Sequence, residues 1–134
     1  MHYSSNSTIL APNNTVYAEM AKLDLSGLRV LSMEDMDLDC SQVELIGGWK
    51  LPKLEVLKLG NNFITDDCMI NWITAEALPN IKALHLGTNN LKAPFIHHIS
   101  TLAGQSTTSL KLLDISRNKL SDNIAVPLSL LHGL

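Results

Sequence analysis

The sequence predicts an α/β solenoid of about four repeats: a curved parallel sheet on the concave side, with helices on the convex side. Three observations predict it. Residues 54–64 (LEVLKLGNNFI), 81–91 (IKALHLGTNNL) and 110–120 (LKLLDISRNKL) all fit L-x-x-L-x-L-x-x-N-x-L without a gap. With a weaker copy at Leu28, the repeats start at 28, 54, 81 and 110, at intervals of 26, 27 and 29 residues. Hydrophobic content is 46% but aromatic content only 4%, so the core must be aliphatic. A solenoid core is built that way because each side chain stacks on its own copy in the next repeat.

Taken in order, residues 1–14 are rich in Ser, Asn and Thr and read as a flexible leader. Residues 15–27 turn more apolar, and Leu23-Asp24-Leu25 alternates like a strand before the Ser26-Gly27 turn. This stretch is expected to cap the exposed end of the core. The first repeat, 28–38 (LRVLSMEDMDL), keeps the apolar register but carries Met36 where later copies carry asparagine. That loss is cheapest at an end of the stack, where one neighbour is missing. A register starting at Met20 would leave 34 residues before Leu54 and is rejected.

Repeats this long leave room for a true helix after each strand. Thr65-Asp66-Asp67 offers capping side chains, and 68–78 follows with helical spacing until Pro79. In the third repeat Phe95, Ile96, Ile99, Leu102 and Ala103 share an apolar face, with His97 pointing away. The helix of the first repeat is interrupted by Gly47-Gly48. In the last repeat Ile124, Leu128 and Leu131 continue the pattern. Residues 28–134 thus form the repeat domain, which is expected either to close imperfectly at Leu134 or to be part of a longer array.

With these residues in hand, the chain resembles the ribonuclease-inhibitor-like subfamily of leucine-rich repeat proteins. The strand motif and the unit NNFITDDCMINWITAEALPNIKALHLGTNNL carry the resemblance over residues 28–134. It implies binding of a partner protein, through the strand face, in a family that includes enzyme inhibitors, GTPase activators, filament caps, immune receptors and bacterial effectors. It also implies that Asn62, Asn89 and Asn118 form a structural ladder, their side-chain amides bonding to backbone groups of the turns.

In each strand the L-x-L leucines point inward, so their neighbours are expected on the concave face. Aligning the copies gives an apolar row, Val30, Val56, Ala83 and Leu112, beside a polar row, Ser32, Lys58, His85 and Asp114. Beyond these lie Glu34, Gly60, Gly87 and Ser116, and then Asp35, Asn61, Thr88 and Arg117. The candidate partner-binding residues are Ser32, Glu34, Asp35, Val56, Lys58, Asn61, His85, Thr88, Leu112, Asp114 and Arg117. Trp72, on the flank of its helix, is a further candidate anchor.

Catalysis is not expected. Ser32, His85 and Asp114 share a row, but Lys58 separates serine from histidine by two strand spacings, ~9.6 Å. Neither a phosphate loop nor a G-x-S-x-G or H-E-x-x-H motif occurs. His97-His98 cannot share a metal, because adjacent helical residues diverge, and no cofactor is expected. A net charge of -3 argues against nucleic acid, and no apolar run approaches the ~18 residues of a membrane span. The opening MHYSSNSTILAP lacks the features of a signal peptide, so a cytoplasmic location is expected, or secretion into a host cell for an effector. Asn6 and Asn13 match glycosylation acceptors and are read as chance. Cys40 and Cys68 fall near helix starts and are expected to be buried free thiols. Arg29 and Arg117 are the arginines that a GTPase activator would need. A purely structural role, stacking through the open C-terminal end at Ile115 to self-associate, is the remaining alternative.

Overall fold

A computed structural model describes residues 14–105 and 109–120. Residues 1–13 of the 1–14 leader and the last-repeat residues Ile124, Leu128 and Leu131 lie outside the described residues. Strands β1 (Val30–Ser32), β2 (Val56–Lys58), β3 (Ala83–His85) and β4 (Leu112–Asp114) form one parallel sheet in the order β1-β2-β3-β4. The register pairs Leu31 with Leu57, Leu57 with Leu84 and Leu84 with Leu113. Those pairs are 26, 27 and 29 residues apart, the intervals read from the sequence. Helices α2 (Cys40–Ile46), α3 (Asp66–Trp72) and α4 (Ala93–Ala103) alternate with the strands and pack on one another.

The core lies between the sheet and the helices. Leu31, Leu57 and Leu84 from the strands meet Ile46, Met69, Phe95 and Ile99 from the helices, all fully buried. Fully burying such a side chain contributes about 1.5–3 kcal/mol. Repetition makes that term recur once per repeat rather than collect at one centre.

Asparagine side chains stitch the turns together. Asn62 Oδ1 accepts from the N–H groups of Met36 (3.1 Å) and Leu38 (2.9 Å), and its Nδ2 donates to the carbonyls of Met33 and Leu59. Asn89 accepts from Ile64 N–H at 3.0 Å and donates to Leu59 and Leu86. Asn118 accepts from Leu91 N–H at 2.9 Å and donates to Leu86 and Ile115. Each amide therefore serves its own turn and the preceding one. Met36, at the same place in the first repeat, is buried in the core.

Three local expectations need correction. No strand forms at 23–25; a helix, α1 (Asn14–Met20), precedes that stretch and packs on α2. Asp24 accepts from both the N–H and the hydroxyl of Ser26, which folds 24–26 into a turn and leaves Leu23 exposed. Tyr17 of α1 is buried, and its carbonyl accepts from Trp49 Nε1 at 2.8 Å. Second, α3 ends at Trp72 rather than at Leu78, because Thr74 Oγ1 takes the N–H of Ala77 and rebuilds the segment as a separate turn. Third, Cys40 and Cys68 are not free thiols. They form a disulfide, with Cα atoms 5.4 Å apart, joining the first turns of α2 and α3.

The disulfide has a polar counterpart one repeat later. Asp66 occupies in α3 the position that Cys40 holds in α2, and it reaches forward in the same way. Its carboxylate accepts from the N–H groups of Lys92 (2.7 Å) and Phe95 (3.1 Å) at the start of α4. Asp66 thus caps the next helix rather than its own, and α3's own N-cap residue Thr65 makes no side-chain cap bond. A carboxylate only 8% exposed is tolerated there because two backbone donors and the helix dipole meet it.

Candidate functional site

The concave face is built from strand residues on either side of the inward leucines. The sheet register sets Val30, Val56, Ala83 and Leu112 in one row across all four strands. The row is apolar and open at both ends, with Val30 43% and Leu112 42% exposed. One residue earlier in each repeat stands a charged row, Arg29, Glu55, Lys82 and Lys111. Arg29 and Lys82 both pair with Glu55, Lys82 at 3.2 Å. Those hydrogen bonds, Arg29's first, hold the Glu55 carboxyl below its usual pKa.

On the other side of the apolar row the register aligns Ser32, Lys58, His85 and Asp114. Ser32 is only 3% exposed and offers a partner almost nothing, contrary to the sequence expectation. Lys58 and His85 are half-buried and Asp114 is exposed. Lys58 lies between Ser32 and His85, so the serine and histidine are not neighbours. Asp114 Oδ1 accepts from the hydroxyl of Ser116 (2.7 Å) and from its N–H (3.0 Å). These bonds, with the adjacent His85 as a smaller cause, keep Asp114 below the usual carboxylate pKa. It stays an acceptor, already engaged, and not a base poised for proton transfer.

A shallow polar groove of about 280 Å³ runs beside this row, lined by Glu34, Gly60, Asn61, His85, Gly87, Thr88, Asp114, Ser116 and Arg117. The glycines make the groove. A Cβ on Gly60 would stand 3.2 Å from Glu34 Oε2, and one on Gly87 would stand 3.0 Å from Ser116 Oγ. Their absence lets acidic and hydroxyl side chains lean across the neighbouring repeat. The structure therefore gathers Glu34, Asn61, His85, Thr88, Asp114 and Arg117 at one place. Val56 and Leu112 belong to the apolar row, and Ser32 to neither.

Asp35, Asn61, Thr88 and Arg117 form a row of their own at the turn, and all four adopt φ of 55–57°. Sequence reading placed them on the binding face but missed this left-handed conformation. The signal was legible only at Asp35 and Asn61, whose residue types tolerate it. Trp72 is 4% exposed and packs toward Gly47 of the preceding repeat, so it is no anchor for a partner. His98 is likewise occupied, its Nε2 lying 2.6 Å from the carbonyl of Ile73.

The fold is shared with proteins of known structure. An internalin of Listeria monocytogenes matches with a TM-score of 0.56 at 24% identity, over 78% of this chain and 26% of its own. The chain folds as a leucine-rich repeat solenoid. The C-terminal domain of tropomodulin from Caenorhabditis elegans matches with a TM-score of 0.57 at 16% identity, over 91% of this chain and 73% of its own. A family model described as Leucine Rich repeat matches residues 107–129. No curated protein matches in sequence. The solenoid spans about a quarter of the internalin's length, so that protein's whole activity is no guide to this one. Among the described residues no helix is long and apolar enough to cross a membrane.

Proposed function

We propose that this protein is a non-catalytic binding module that holds a partner protein on its concave strand face. One observation carries the reading: an apolar row, Val30, Val56, Ala83 and Leu112, lies across the whole sheet between charged and polar rows. An apolar centre with a polar rim is how protein interfaces are commonly built. The stacked leucines and asparagines fix the backbone before binding, so little ordering cost attends association. Helices in repeats of this length favour the ribonuclease-inhibitor-like subfamily.

Between the narrower versions, the disulfide favours one that works in an oxidising compartment over the cytoplasmic one. A GTPase activator is disfavoured, because Arg29 is already paired to Glu55 and Arg117 alone is left as a finger. The reading is tested by affinity capture from lysate, comparing the natural protein with a folded Lys58→Glu, His85→Ala, Arg117→Glu variant. A partner retained by the first and lost by the second supports it. Equal recovery by both moves the site to the helices.

A further inference from the structure

The residues just before each strand carry a charge asymmetry beside the apolar stripe. The chain has a net charge of -3, yet the row bordering the apolar stripe, Arg29, Glu55, Lys82 and Lys111, holds three cations and one anion. Its one carboxylate is taken by Arg29 and Lys82, and Lys111 is in no ion pair among the described residues. A partner approaching the stripe therefore meets surplus positive charge along that side, on a protein that is negative as a whole.

The stripe also sets a spacing. It crosses the strands, so its apolar side chains recur at the interstrand distance, ~4.8 Å. An α-helix laid across the strands repeats its apolar face once per turn, every ~5.4 Å, close to that distance. An extended segment laid the same way repeats one face every ~6.6 Å and would drift out of step.

We infer that the concave face takes an amphipathic helix of the partner, with apolar side chains on Val56, Ala83 and Leu112 and acidic residues against Lys82 and Lys111. This rests on the concave-face reading above and adds the partner's secondary structure and charge.

The test is selection of a displayed library of helix-favouring peptides against the full chain, with both wild type and variants as bait. Enriched peptides should carry apolar residues at i, i+3 or i+4 and i+7, flanked by Asp or Glu. They should be lost on Val56→Glu or Leu112→Glu, at a half-buried and an exposed position, with folding checked by circular dichroism. A Lys82→Glu, Lys111→Glu variant should bind them on the order of tenfold more weakly at low salt. Peptides lost on Val56→Glu but without acidic flanks, and indifferent to the lysine reversals, would overturn the inference and leave the concave site standing. Peptides indifferent to both apolar substitutions, or no enrichment at all, would overturn both.

Discussion

Asparagine at the ninth position of a repeat can accept and donate at once, which neither leucine nor methionine can do. Asn89, buried at 5% exposure, takes the N–H of Ile64 and gives its own protons to Leu59 and Leu86. Replacing it by alanine would strand the Ile64 N–H and take one of two amide donors from each of the Leu59 and Leu86 carbonyls. Asn89→Ala should lower stability by about 1–3 kcal/mol in urea denaturation; a variant melting like wild type would mean these bonds carry nothing. This role was legible in the sequence because asparagine recurs at one place in an otherwise apolar motif. The left-handed turn beside it was not legible at Thr88, since a β-branched residue is among the least suited to a φ of 57°. Thr88→Gly should relieve that strain and raise stability by about 1 kcal/mol, read as a higher midpoint. Ser32 shows the opposite limit: periodicity gave its face correctly, but only the packed structure shows that it is covered.

At the scale of elements, strands were easier to read than helices and links. The strand centres fall where the leucine pattern puts them, because an inward L-x-L leaves one orientation for each side chain. Helix α3 was overextended, because apolar spacing through Ala77 resembles a helix while Thr74 competes for the backbone. Long-range links left no local signal. Cys40 and Cys68 looked like two isolated thiols until the stacking of α2 on α3 brought them together. Their bond closes a loop with a sequence separation of 28, and a loop of that size adds about 3.5 kcal/mol. Reduction, or Cys40→Ser, should therefore lower the melting temperature, with free thiols appearing only after reductant on alkylation and mass measurement. Helix α2 adds a pH dependence. Asp39 accepts from the Ser41 hydroxyl and N–H at its N-terminus, and these bonds hold its pKa below the usual carboxylate value. A carboxylate depressed in the folded state stabilises fully above its unfolded pKa and stops doing so as pH falls through the folded one. Stability should thus fall as pH drops below about 4, the ordinary carboxylate range, and Asp39→Asn, which keeps a capping oxygen, should show a shallower fall there.

For the molecule as a whole, repetition made the fold readable and left the function faint. The same leucines recur because each repeat solves one packing problem, and that problem says nothing about a partner. What differs between repeats is the exposed rows, and their meaning emerged only once the register had aligned them. The alignment set an apolar stripe between a cationic border and a glycine-floored polar groove. The central claim is that binding belongs to this face and not to the helices. Its most direct test is calorimetric titration of a captured partner against four folded single variants. Val56→Glu and Lys58→Glu alter the concave sheet, and Asn71→Lys and His97→Glu alter exposed positions on α3 and α4. The account predicts a large loss of affinity for the first two and almost none for the last two. The reverse pattern would contradict it.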